Sequence, residues 1–239
     1  DGSGNKWIGT NGGLAKFNGA AWTVYTSSNS GLPDYGVSSI AIDGSGYKWI
    51  GTNYFGLAKF DGTTWTVYND SNSGLAANSV MSIAIDGSGN KWIGTNGGGL
   101  TKFDGTTWTV YNSTNSGLPA NEVLSIAIDG SGNKWIGTRT TIRDVKQFRE
   151  SYEGLTKFDG ASWTVYNASN SGLPDNAVFS IAIDGSGSKW IGTMDSGLVK
   201  FDGATWTVYK DVNFSWPGNG ISSIAIDGSG NKWIGTYGD

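Results

Sequence analysis

The 239-residue chain has no cysteine and no histidine, and its three arginines all lie between positions 139 and 149. Nucleophilic centres built on Cys or His are therefore excluded, and a metal site would have to rely on carboxylates. No apolar run approaches the roughly 18 to 20 residues that a membrane-spanning helix needs. A net charge of only -4, with no basic stripe, argues against nucleic acid as a partner. The lack of Cys leaves the redox compartment open, because a chain of this size can bury a core without disulfide staples. Few Lys and Glu beside much Asn, Ser, Thr and Gly lean towards an extracytoplasmic setting, periplasmic or secreted. The chain opens on Asp1 with no basic-then-apolar leader, so a targeting segment is expected to lie outside it or to have been removed.

What the chain does have is a period. The tetrad Asp-Gly-Ser-Gly begins at Asp1, Asp43, Asp86, Asp129, Asp184 and Asp227, in steps of 42, 43, 43, 55 and 43 residues. The long step is one ordinary period plus 12 inserted residues, within 139–153. Such self-similarity marks a repeat architecture, so residues 1–239 are expected to form one repeat domain. Each period resolves into four short runs rich in β-branched and aromatic residues, as at Val80 to Ile85, Lys91 to Thr95, Leu100 to Phe103 and Thr107 to Tyr111. We call these runs A to D. Asp-Gly-Ser-Gly joins A to B and Asp-Gly-Thr-Thr joins C to D, where Gly permits positive φ and Asp can bond the turn backbone.

Four antiparallel strands per period predict an all-β fold, a β-propeller of about five four-stranded blades. The two Trp of each period, such as Trp92 and Trp108, are expected to be apolar wedges between blades. A-type runs occur five times and B-type runs six times. That count fits a closed ring with one redundant B strand, an open arc of a larger ring, or edges that pair with another copy.

The signature D-x-x-G-x-x-W-I-G-T-x-x-G-L-x-x-F, seen in Asp86 to Phe103 and repeated with loop variations, resembles the two-component regulator propeller repeat. The resemblance covers nearly the whole chain. It implies a propeller of the kind that serves as the extracytoplasmic sensor of hybrid histidine kinases, often seven-bladed and in tandem. Related repeats occur in secreted bacterial proteins.

Comparing the internal copies locates the variation. The turns hardly change, whereas the B-to-C and D-to-A loops differ, and alternating strand direction places those loops together on one face. Asp34, Tyr35, Asn53, Tyr54, Phe55, Asp195 and Trp216 are the candidate ligand-binding residues of that face. Their aromatic rings are placed to stack on a sugar or small polar ligand, or else they pack onto neighbouring loops. The insert carries Arg139, Arg143, Phe148, Arg149 and Tyr152 as a candidate protein-partner surface. Ile142, Val145, Phe148 and Tyr152 recur at helical spacing, so a short amphipathic helix or an extended hairpin is expected there. Its basic face, if free, would suit an acidic partner.

The Asp-rich turns resemble the first half of a calcium loop but lack its sixth-position Gly and twelfth-position Glu, which favours a turn-forming role for Asp and no metal. The Lys that opens each B run, such as Lys48, Lys91 and Lys189, is expected to form solvated surface pairs. No carboxylate pair is selected for glycoside hydrolysis among Asp34, Glu122, Glu153 and Asp195. These readings converge on a noncatalytic binding or interaction module without a cofactor. Sensor ectodomains and secreted proteins are its leading context, with a lectin-like binder or a subunit of a larger assembly as alternatives.

Overall fold

A computed structural model of the chain describes the backbone of residues 1–143, 148–210 and 220–237, with side chains for all of these except 142–143 and 148–149. The chain divides into two compact units, Asp1–Tyr111 and Asn112–Asp239.

The first unit holds three antiparallel meanders in chain order. The first contains β1 (Lys6–Thr10), β2 (Gly13–Phe17) and β3 (Trp22–Tyr25). The second contains β4 (Val37–Ile42), β5 (Lys48–Thr52), β6 (Leu57–Phe60) and β7 (Trp65–Tyr68). The third contains β8 (Val80–Ile85), β9 (Lys91–Thr95), β10 (Gly99–Phe103) and β11 (Trp108–Tyr111).

The second unit continues with β12 (Glu122–Ile128), β13 (Lys134–Arg143), β14 (Phe148–Phe158) and β15 (Trp163–Tyr166). Then follow β16 (Val178–Ile183), β17 (Lys189–Thr193), β18 (Leu198–Phe201) and β19 (Trp206–Tyr209), and last the pair β20 (Gly220–Ile226) and β21 (Lys232–Tyr237). Among the described residues there are thus four complete four-stranded blades. The three-stranded sheet lacks an A strand, and the two-stranded sheet consists of A and B alone.

The packing explains the repeated letters. Within the first unit, Trp49 and Leu57 of one blade cluster with Val80, Ile83, Ile93 and Phe103 of the next, and Leu75 from the connecting loop closes the cluster. The second unit repeats this with Trp135, Leu155, Leu173, Val178, Ile181, Ile191, Val199 and Phe201. Trp49 and Trp135, all but fully buried in these clusters, are the wedges expected of B-strand indoles, whereas Trp233 in the two-stranded sheet is 66% exposed. Burying one such side chain is worth on the order of 1.5 to 3 kcal/mol, and the repeat multiplies that gain.

The D-strand Trp does a second job. Phe103 and Trp108 stack across the C-to-D turn at 4.1 Å between ring centroids, as do Phe158 with Trp163 and Phe201 with Trp206. A Cβ on Gly74, in the connector before the blade, would lie 2.4 Å from Cβ of Trp108, and Gly172 stands in the same relation to Trp206 at 2.6 Å. Only glycine lets the Ser-Gly-Leu connector pass over the indole, which is why that tripeptide recurs.

Each A strand carries a register shift, as between Val80 and Ser82. The bulge re-aims a serine hydroxyl towards the following blade. Ile83 N–H donates to Ser39 Oγ at 3.0 Å, and in the second unit Ile224 N–H donates to Ser180 Oγ at 2.9 Å. Successive A strands are therefore stitched by side chain as well as packed.

Candidate ligand-binding loop face

The B-to-C and D-to-A loops meet by backbone hydrogen bonds. Asn53 N–H donates to Gly36 O at 3.1 Å and Gly56 N–H to Asn78 O at 2.8 Å; in the second unit Gly154 N–H donates to Asn176 O and Met194 N–H to Ala177 O, both at 3.1 Å. In each unit these variable loops share one end of the blades.

Asp34 organises the loop pair of the first complete blade. Its Oδ1 accepts the N–H of Tyr35 at 2.7 Å and its Oδ2 the N–H of Tyr54 at 2.9 Å, while the residue is only 6% exposed. Asn53 is packed so closely on the adjacent loop that a Cβ on Gly36 would meet its Nδ2 at 2.1 Å. Phe55 N–H donates to Thr52 Oγ1 at 3.2 Å. The aromatic side chains are not drawn into the core by this pinning: Tyr35 is 61% exposed, Tyr54 74% and Phe55 56%. Five of the residues singled out in sequence thus come together, with Asp34 and Asn53 holding the loops and three rings standing out from them.

Asp195 lies in the loop pair of another blade, in the second unit. There its N–H donates to Oδ2 of Asp175 at 3.0 Å, so Asp175 takes the pinning role that Asp34 has. Asp175 was not singled out in sequence, although its Leu-Pro-Asp context matches that of Asp34. Trp216 lies outside the described residues, as do the side chains of Arg143, Phe148 and Arg149.

Of the two forms expected, the described part of the insert takes the extended one: β13 and β14 run as paired strands, with Arg139 opposite Tyr152 and Arg143 opposite Phe148. The helical spacing was coincidental, because Thr140 and Thr141 prolong the strand and an acidic anchor fixes it. Arg139 Nε donates to Glu122 Oε2 at 2.8 Å and Nη1 to Glu150 Oε1 at 2.9 Å. Glu122 also accepts the Thr141 N–H at 3.1 Å. The guanidinium of Arg139 is therefore paired internally and offers no free basic face. Tyr152 donates its hydroxyl to Glu150 and lies 5.7 Å from the ring of Phe179; burial first, and then the bond to Glu150, raises its phenol above the usual range.

The Asp-Gly-Ser-Gly turns are locked from within. Asp86 accepts N–H bonds from Ser88 at 3.0 Å and Asn90 at 2.9 Å through Oδ1, and the indole N–H of Trp92 at 2.9 Å through Oδ2. Those bonds outweigh burial, which alone would raise its pKa, and hold the carboxyl below the usual range. The lysines depart from the surface pairs expected. Lys91 Nζ sits 4.7 Å from the ring centre of Trp49 in the preceding blade and 3.8 Å from Asp43, and Lys189 lies 4.6 Å over Trp135. Each caps the indole wedge of the blade before it, a cation–π contact in a largely desolvated setting.

No family model matches the chain, and no curated protein does. Solved structures do. The extracellular domain of a hybrid two-component system of B. thetaiotaomicron matches with 25% identity and a TM-score of 0.81, over 99% of this chain and 31% of that one. PorZ, a surface component of the type-IX secretion system of Porphyromonas gingivalis, matches at 20% identity and a TM-score of 0.70, over 98% of this chain and 36% of that one. A second B. thetaiotaomicron sensor ectodomain matches at 20% identity and 0.59, over 99% and 36%. The chain thus spans about a third of the length of these proteins. A gluconolactonase at 12% identity and 0.58, over 93% and 78%, shares the fold alone. The chain is a β-propeller, and its likeness to these extracellular domains is consistent with the resemblance of its repeat signature to the two-component regulator propeller repeat.

Proposed function

We propose that the chain is a noncatalytic, extracytoplasmic recognition module that binds its ligand on the variable loop face, with Tyr35, Tyr54 and Phe55 as the contacting group. The observation that carries this reading is the pairing of a buried pin with exposed rings. Asp34 spends a buried carboxylate on ordering two loops whose aromatic side chains then face solvent. Pre-ordered aromatic rings lose little entropy on binding and offer flat faces to a sugar ring or an apolar peptide side chain. The ectodomain neighbours support the extracytoplasmic setting, and the lack of His and Cys supports binding over covalent chemistry.

The test is a binding screen of immobilised protein against neutral glycans and short peptides. It compares the wild type with the double variant Tyr54→Ala/Phe55→Ala. A ligand held by the wild type and lost by the variant supports the reading; ligands bound equally by both would sink it.

A further inference from the structure

One C-to-D turn differs from its copies by a single functional group. The turns after β6, β10, β14 and β18 begin with Asp61, Asp104, Asp159 and Asp202, whereas the turn between β2 and β3 begins with Asn18, followed by Gly19. The local bonding is the same. Asn18 Oδ1 accepts the N–H of Ala20 at 3.0 Å and of Ala21 at 2.8 Å, as Asp61 Oδ1 accepts those of Thr63 at 2.8 Å and Thr64 at 2.6 Å. What differs is the reactivity of the side-chain carbon. Backbone N–H groups, led by Thr64 at Asp61 and Thr205 at Asp202, hold the four carboxyls below their usual range and therefore ionised at neutral pH. An ionised carboxylate resists attack by a nitrogen nucleophile; the neutral amide of Asn18 has no such protection.

Three features of this turn favour attack on Asn18 Cγ. The two N–H donors on Oδ1 stand at oxyanion-hole distances, so they receive the negative charge that develops on that oxygen when Cγ is attacked. The Gly19 N–H makes no backbone hydrogen bond among the described residues, and a Cβ on Gly19 would meet nothing within 4 Å, so this nitrogen is free and its backbone has room to swing. Asn18 and Gly19 are both exposed, which lets ammonia leave and water enter.

Two other Asn-Gly pairs among the described residues provide the contrast. After Asn11, the Gly12 N–H is already spent on Thr10 Oγ1 at 3.1 Å. At Asn96 the backbone N–H is tied to Ser79 O at 2.9 Å, and its side-chain oxygen accepts no N–H among the described residues. Only at Asn18 do a free glycine amide and a polarised side-chain carbonyl meet.

We infer that Asn18 is a self-modifying position, at which the Gly19 amide nitrogen closes on Asn18 Cγ and expels ammonia. The nitrogen gives its proton to hydroxide as the N–Cγ bond forms, and Nδ2 takes a proton from water as the Cγ–Nδ2 bond breaks. Water then opens the cyclic imide at either carbonyl, leaving aspartate or isoaspartate at position 18. The aspartate product has the residue found in the four other turns and adds one negative charge. The isoaspartate product inserts a methylene into the main chain between Phe17 and Trp22, whose rings stack at 4.8 Å across the turn. The reaction is separate from the loop face and stands whether or not Tyr54 and Phe55 bind anything.

The experiment incubates the full chain at neutral and mildly alkaline pH, folded and in urea. Its tryptic peptides are then followed by mass spectrometry, with fragmentation that separates aspartate from isoaspartate. The three Asn-Gly pairs fall on separate peptides, 7–16, 17–48 and 92–102. In the folded chain position 18 should convert about tenfold faster than position 11, whose nucleophile must first give up a hydrogen bond, and should also lead position 96. Conversion should quicken with pH. In urea the three rates should draw level, because unfolding removes the amide donors from Asn18 Oδ1. Asn18→Gln, on an exposed turn, should abolish the mass gain of peptide 17–48, since the longer side chain closes an imide ring far less readily. Position 18 inert in the folded chain yet converted in urea would show that the turn protects rather than activates, and would overturn the inference. So would conversion led by position 11 or 96 in the folded chain, or a gain on peptide 17–48 that survives Asn18→Gln.

Discussion

The indole N–H of Trp49 donates to Oδ2 of Asp43 at 2.9 Å, and the ammonium of Lys91, one repeat further on, lies 4.7 Å from the same ring. This trio ties the turn of one blade to the wedge of that blade and to the first residue of the next blade's B strand. It gives the Asp and Lys of the repeat a shared physical purpose, and it recurs in the second unit with Asp184, Trp190 and Lys232.

Removing the acceptor should therefore be costly. Asp43→Ala leaves the indole N–H and two turn amides unsatisfied around a nearly buried Trp49, and should destabilise by about 1 to 3 kcal/mol. Asp43→Asn keeps one acceptor oxygen and should lose less. Urea denaturation followed by Trp fluorescence distinguishes the two; equal midpoints for Asp43→Ala and wild type would show that the bond contributes nothing.

Two glycines separate packing from turn formation. Gly74→Ala would push a methyl group into Trp108 and should lose roughly 1 to 3 kcal/mol by overpacking. Gly87→Ala, in the turn, meets nothing within 4 Å and has no positive φ, so its effect should be small. Thermal unfolding of the two single variants against wild type tests the contrast.

Acid should unfold the chain through its turns. Hydrogen bonds from Ser186, the Trp190 indole and backbone amides outweigh burial at Asp184 and lower its pKa to about 2, with Asp86 and Asp129 lowered in the same way. A carboxyl whose folded pKa lies below its unfolded value of about 3.9 stabilises the fold fully above that value, and the contribution disappears as pH falls through the folded pKa. Stability should thus be flat above about pH 4 and drop between about pH 4 and 2, with a shallower drop in Asp184→Asn. Denaturation midpoints measured across that interval provide the check.

The strand pairing of the insert, one of the two forms expected for it, has its own test. Glu122→Gln weakens the acceptor for Arg139 and for the Thr141 amide, and should raise the hydrogen-exchange rate of Thr141 by roughly tenfold, about 1.4 kcal/mol of local protection. Unchanged exchange would mean that strand pairing alone holds the insert.

Much of the fold could be read from residue order, because period and turn chemistry are local properties. The strands at Val80 to Ile85 and Lys91 to Thr95 match those of the structure, and Trp92 is buried as a wedge. Side-chain fates that depend on another repeat could not be read so directly. Lys91 meets Trp49 one repeat away and Arg139 finds Glu122 across a strand pair; the period spaces the copies but does not say which side chains face each other between them. Among the candidate residues, the exposure of Tyr54 and Phe55 is legible because the repeat has no core place for them. For Asp34 a loop aspartate suggests a ligand contact, whereas burial and N–H donors from Tyr35, Gly36 and Tyr54 make it the pin beneath the rings.

The measurement that tests the central claim most directly is backbone amide NMR of the chain titrated with the tightest ligand from the glycan and peptide screen. The account predicts that the shifted amides centre on residues 34–36 and 53–55, and that Tyr54→Ala/Phe55→Ala abolishes those shifts while leaving the rest of the spectrum in place. Shifts that avoid these loops altogether, or that persist in the double variant, would contradict recognition through the loop face.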